Sequence, residues 1–130
     1  MDDHPNATRF REGYAAFGKG DMAALGRLLA DDVVWHSPGH NSLTGDYKGI
    51  PAVLALFGRT FELTGGTFRS DVHDIIANDV HGVALVTISG TRDGKAVKTE
   101  QVHVAHFRDG KLAESWLLAK DQAAVDELFR

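Results

Sequence analysis

Residues 96–119, AVKTEQVHVAHFRDGKLAESWLLA, decide the fold. Two runs rich in β-branched and aromatic residues flank Asp109-Gly110, a dipeptide that favours the positive-φ backbone of a tight hairpin. Ala96 to Arg108 therefore reads as one strand, and Lys111 to Ala119 as the strand returning beside it. Upstream, Thr67 to Ala77 and Val80 to Thr91 are strands joined across Asn78-Asp79, and Arg92-Asp93-Gly94-Lys95 turns the chain into the hairpin. Downstream, Asp121 is the N-cap of a short last helix, Gln122 to Phe129.

The first half has a different period. Phe10, Tyr14 and Phe17 fall at i, i+4 and i+7, one apolar face of a helix over 8–18 that Gly18-Lys19-Gly20 stops. Asp21 caps a second helix, 22–30, carrying Met22, Leu25, Leu28 and Leu29, with Asp31-Asp32 closing it. Val33 to Ser37 is a short strand ended by Pro38-Gly39, and a polar loop follows from Gly39 to Lys48. Gly49 to Leu63 is helical again, with Val53, Leu54, Phe57 and Phe61 on one stripe. Helices first and strands later imply an α+β class and one domain over 1–130.

Composition narrows the function. The 130 residues include 43% hydrophobic and 25% charged side chains, a globular balance able to bury a core. No cysteine is present, which excludes disulfides, thiolate metal sites and thiol nucleophiles. A net charge of −4, with Lys and Arg scattered singly, opposes nucleic-acid binding. The polar start, Met1 to Pro5, has no apolar run behind it, and no stretch approaches membrane-spanning length. A cytoplasmic protein without membrane contact is the expectation.

The order of elements, together with Gly20-Asp21, Ala30-Asp31-Asp32-Val33-Val34-Trp35-His36-Ser37-Pro38-Gly39, Gly45-Asp46-Tyr47-Lys48-Gly49, Phe107-Arg108-Asp109-Gly110-Lys111, Glu114-Ser115-Trp116 and Lys120-Asp121-Gln122, resembles the SnoaL-like, ketosteroid-isomerase-like branch of the nuclear transport factor 2-like superfamily. The resemblance implies a cone in which a curved, largely antiparallel sheet wraps around the three helices of the first half, with a ligand cavity at its mouth. Members include steroid isomerases, polyketide cyclases, dehydratases and epoxide hydrolases, and others only bind ligands or dimerise.

The ketosteroid isomerase mechanism uses an Asp base with a Tyr and a protonated Asp as donors. Matched onto this chain, the base falls on Ser37, the tyrosine on Gly13 beside Tyr14, and the acidic donor on Ala105. All three roles are vacant, so that mechanism is not expected here. Strand alternation then sorts the other side chains. Gln101, His103, Ala105 and Phe107 share the cavity side with Thr99. Trp35 and Ser37 share it on the earlier strand, where His36 points away, and Ser115 and Leu117 share it on the last. Phe17, Phe57 and Phe61 supply helix walls, giving an aromatic pocket for a small apolar, oxygen-bearing molecule.

His103 is the expected acid/base group, with Asp121, Tyr14 and Ser37 as orienting or donating partners. Asp121 also reads as a helix cap, and Tyr14 as core. His103 and His106 lie on opposite strand faces and His36 and His40 span a turn, so no metal is expected, and no cofactor motif is present. Trp116 falls on the outer sheet face, where it suits a homodimer contact. The expected function is isomerisation, cyclisation, dehydration or epoxide opening by a cofactor-independent enzyme. A non-catalytic binding or dimerisation module is the alternative.

Overall fold

The Asp109-Gly110 turn forms with both residues at positive φ, 52° and 76°. From it spreads a six-stranded sheet in a computed structural model that describes residues 3–130, so the first two residues of the polar start lie outside the description. In chain order the elements are α1 Pro5–Lys19, α2 Met22–Leu28, β1 Leu29–Ser37, β2 Gly45–Lys48, α3 Ile50–Leu63, β3 Arg69–Ala77, β4 His81–Arg92, β5 Lys95–Arg108, β6 Lys111–Ala119 and α4 Gln122–Leu128. The strands lie in the order β2-β1-β6-β5-β4-β3. Every pairing is antiparallel except β1 with β6, which is parallel.

Three expectations change. The loop 39–48 contains β2, whose Tyr47 pairs with Trp35. Four residues with a single β-favouring side chain carry no readable pattern, and the free edge of β1 imposes the strand. Leu29 and Asp31-Asp32 belong to β1 and not to the end of a helix. The register of β1 against β6 shifts between Leu29 and Val34, so the inward apolar residues Leu29, Ala30 and Val33 do not alternate simply. The first helix also starts earlier, at Pro5, where proline suits the opening turn and the His4 ring accepts from the Asn6 amide.

Register shifts also interrupt β3 against β4 and β5 against β6. Bulges bend strands and add twist, which curls this sheet. On the concave face, β4 presents Gly82, Ala84, Val86, Ile88 and Gly90, all buried. Two of these are glycines because helices press close. A Cβ at Gly82 would lie 2.9 Å from the Phe10 ring and 2.8 Å from Phe107, and one at Gly90 would lie 3.3 Å from Leu128. Helices α1 to α3 fill the concavity, and α4, added at the end of the chain, packs against β4, β5 and β6. Side chains such as Val33, Val53 and Val86, at 0–1% exposure, each contribute about 1.5–3 kcal/mol of burial.

Candidate functional site

The helices do not fill the concavity completely. A cavity of about 140 Å³ remains between the inner sheet face and α1, α3 and α4. Helical spacing on α1 turns Phe10, Tyr14 and Phe17 into it, β1 contributes Trp35 and Ser37, α3 contributes Phe57, and β5 and β6 contribute Gln101, His103 and Leu117. The rings interlock. Trp35 meets Phe57 and His103 edge-on with centroids 4.9 Å apart, and Phe17 meets Phe57 at 5.3 Å. Edge-to-face contacts of this kind hold aromatic walls in fixed positions.

His103 is 2% exposed and has both ring nitrogens engaged. Nδ1 lies 2.6 Å from the Tyr14 hydroxyl, and Nε2 contacts the Ser115 hydroxyl. Burial pushes the imidazole down to about 3, so it is neutral near pH 7 and carries a single N–H. Hydrogen-bond accounting assigns the tautomer. Ser115 is fully buried, and among the described residues its hydroxyl has no acceptor other than His103. If Nε2 carried the proton, the serine proton would be buried without a partner, a cost of about 1–3 kcal/mol. Either tautomer leaves one hydroxyl proton without a protein partner; because Ser115 is sealed while Tyr14 borders the cavity, where a ligand oxygen can accept, we assign Ser115 as donor to Nε2 and Nδ1–H as donor to the Tyr14 oxygen. Tyr14 is left with its own O–H unspent at the cavity wall. Burial also raises the phenol well above its usual value, so it stays protonated.

The chain Ser115–His103–Tyr14 is only partly legible in the sequence. Alternation places Ser115 on the cavity side without tying it to His103, because it gives a face and not a partner. Asp121 does not reach the site. It is exposed and accepts from the Ala124 amide as the cap of α4, a role its side chain is too short to combine with reaching the cavity. Phe61 is not at the wall either; it packs behind Phe17 at 4.7 Å, because one helical turn beyond Phe57 carries it past the cavity. Ala105 faces inward but is sealed, at 0% exposure, where the cone is filled around Phe10 and Phe107. Unforeseen lining residues include Phe68, Phe129 and Arg9. Arg9 has no signal in the sequence, where it reads as one polar residue on an amphipathic helix.

On the convex face, His36 bonds Asp46 through Nδ1 and Glu114 through Nε2, both at 2.7 Å, and stacks on Trp116. The two carboxylates raise its pKa. Trp116 is half-buried beside His106, at 4.8 Å. Among the described residues, no three His, Asp or Glu side chains converge to hold a metal ion. Nor is any helix among them long and apolar enough to cross a membrane.

Comparison with known proteins agrees with this architecture. A family model described as a SnoaL-like domain matches residues 10–115. An uncharacterized protein of Mycobacterium tuberculosis is 27% identical over 130 residues, covering 99% of both chains. The structure of Bal32a, from a soil-derived mobile gene cassette, superposes with a TM-score of 0.93 at 34% identity, over 97% of each chain. TerC, co-crystallized with polyporic acid, superposes with a TM-score of 0.85 at 25% identity, over 97% of this chain and 98% of its own.

Proposed function

The chain belongs to the SnoaL-like family, and from that premise we propose that it binds a small, ring-sized, oxygen-bearing apolar molecule whose carbonyl or ether oxygen accepts the Tyr14 hydroxyl. One observation carries the reading: a phenol O–H left unspent on the wall of an aromatic cavity, backed by a buried neutral His103. The volume supports a single ring, since an apolar cavity of roughly 150 Å³ accommodates benzene. A structural relative, TerC, was co-crystallized with a small organic molecule, polyporic acid, which supports a small-molecule ligand here.

The reaction class we propose is isomerisation, cyclisation, dehydration or epoxide opening, with Tyr14 as the hydrogen-bonding acid at the developing oxyanion. His103 acts through Tyr14 as a positioning residue, because its own lone pair is occupied by Ser115. Trp35, Phe17, Phe57 and Leu117 hold the apolar body, and Ser37 and Gln101 are among the further polar lining residues. The second reading is a binding module without turnover. It is favoured by the absence of any Asp or Glu among the described lining residues, which leaves no conventional base.

Aryl ketones test both. Tyr14→Phe is expected to weaken acetophenone binding about two- to tenfold, the worth of one neutral hydrogen bond. Unchanged affinity would remove the proposed role of the hydroxyl. With a turned-over substrate the same change should cost roughly 10²–10⁴ in rate, whereas ligands recovered chemically unchanged across a panel of ketones and epoxides favour the binding module.

We also propose a homodimer through the convex face. Ile76, Val83, Val104, Trp116 and His36 form one cross-strand row there, with Leu85, Val102 and Leu118 forming the next. A second copy of this face is the occupant that an apolar strip along a sheet without helices on that side suits best. Sedimentation velocity with Trp116→Glu checks it: dimer for the parent, monomer for the variant.

A further inference from the structure

Arg9 is the one charged side chain among the described lining residues of the cavity, and it is held there by a built support. Asn6, on the preceding turn of α1, is 3% exposed and donates both amide protons to backbone carbonyls, to Asn78 at 3.0 Å and Asp79 at 3.1 Å. Its side-chain oxygen must then face Arg9, which donates to it at 2.8 Å. Gly110, in the β5–β6 turn, lies under the guanidinium so closely that a Cβ there would sit 2.8 Å from Arg9 Cζ. Among the described residues no carboxylate pairs with Arg9, nor with Arg27, Arg59, Arg69 or Arg92, but of these only Arg9 lines the cavity. A half-buried guanidinium that is braced from two sides and opens on an apolar cavity has the fork geometry and charge that suit an anionic oxygen acid.

We propose that the ligand is an aryl or similarly ring-sized monocarboxylate, with its carboxylate on Arg9 and its second oxygen on Tyr14. The inference rests on the Tyr14 cavity reading and adds the acid group. Arg9 and Tyr14 lie five positions apart on α1, and both line the cavity, so one ligand can present an oxygen to each. The apolar walls recognise the ring, and they also keep water from screening the charge pair.

Calorimetric titration with 4-acetylbenzoate, its primary amide 4-acetylbenzamide, and acetophenone tests this. The parent protein should bind the acid on the order of tenfold to a hundredfold more tightly than the amide. Arg9→Gln should abolish that preference, weakening the acid far more than the amide, and Arg9→Lys, which keeps the charge, should retain part of it. Tyr14→Phe should weaken acid and amide alike. Equal affinity of acid and amide for the parent overturns the Arg9 assignment and leaves the cavity reading intact. Equal weakening of both probes by Arg9→Gln, with the circular dichroism melt unchanged, overturns that assignment too. Failure of all three probes to bind the parent overturns both.

Discussion

His103 and His36 sit on one sheet, the first on its concave face and the second on its convex face, and their surroundings pull the two imidazoles in opposite directions. His103 has neutral hydroxyl partners and is buried, so the charged form loses its solvation and gains no counter-ion. His36 has two carboxylates and partial solvent, so the charged form is held. The residue type is the same; what differs is whether an anion or a hydroxyl stands across the hydrogen bond. The concave face is thus a place where polar groups stay neutral and fixed, and the convex face a place where charges pair. Sequence alternation assigns each residue to its face, but the partners come from strands distant along the chain.

The sharpest way to break this contrast is to cut adjacent faces of one strand. On β4, Ile88 is 3% exposed and Leu85 40% exposed. Ile88→Ala should lower stability by about 2–5 kcal/mol, while Leu85→Ala should change it by about 0.5 kcal/mol or less in a monomer. Urea unfolding of both variants decides. A large loss for Leu85→Ala that grows with protein concentration would instead show that the convex face is covered by a second copy.

His103→Leu comes next. Removing the ring leaves the fully buried Ser115 hydroxyl without an acceptor, at a cost of about 1–3 kcal/mol. His103→Gln restores a polar partner and should recover part of it. Equal losses for the two variants would mean that shape, and not the hydrogen bond, sets the value of this position.

The dependence on pH also separates the two faces, because its sign differs between the two histidines. His36 has a raised folded-state pKa, so its contribution is fully present below the unfolded value of about 6.5 and fades as pH rises through the folded value. As a partly exposed pair it is worth about 1 kcal/mol or less. His103 has a folded pKa of about 3, so the unfolded chain binds the extra proton and stability falls as pH drops below about 6.5. Imidazole carbon protons followed by NMR should show His36 titrating above pH 6.5 and His103 not titrating down to pH 4. A His103 midpoint near 6.5 would mean that water enters the cavity.

The fold is largely legible in the sequence because its signals are local. Asp109-Gly110 marks a hairpin, Phe10, Tyr14 and Phe17 mark a helix face, and the strands alternate. β2 escapes because its pairing is imposed by a neighbour and not by its own four residues. The site is legible in part. Alternation turns His103, Gln101 and Leu117 inward, and helical spacing does the same for Tyr14 and Phe57. What alternation cannot supply is reach. Asp121 is too short and too far out, Phe61 falls one turn past the cavity, and Ala105 is sealed beneath larger rings. Arg9 is invisible because its meaning depends on Asn6 and on Gly110, a hundred or so residues away along the chain.

The parallel seam between β1 and β6 bears on how the molecule is made. Trp35 pairs with Ser115, about eighty residues later, while every other strand pair joins neighbours in sequence. Closing so long a loop costs chain entropy before its contacts repay it, so such pairings slow folding. The meander β3 to β6 pairs across local turns, whereas β1 with its small β2 partner joins it only across that long loop. Trp35 and Ser37 belong to β1, whereas His103 and Ser115 belong to the meander, so the site is complete only when that seam is closed. On the ribosome the order is stricter still, since β1 emerges early and must wait, unpaired on that edge, until β6 has been synthesised.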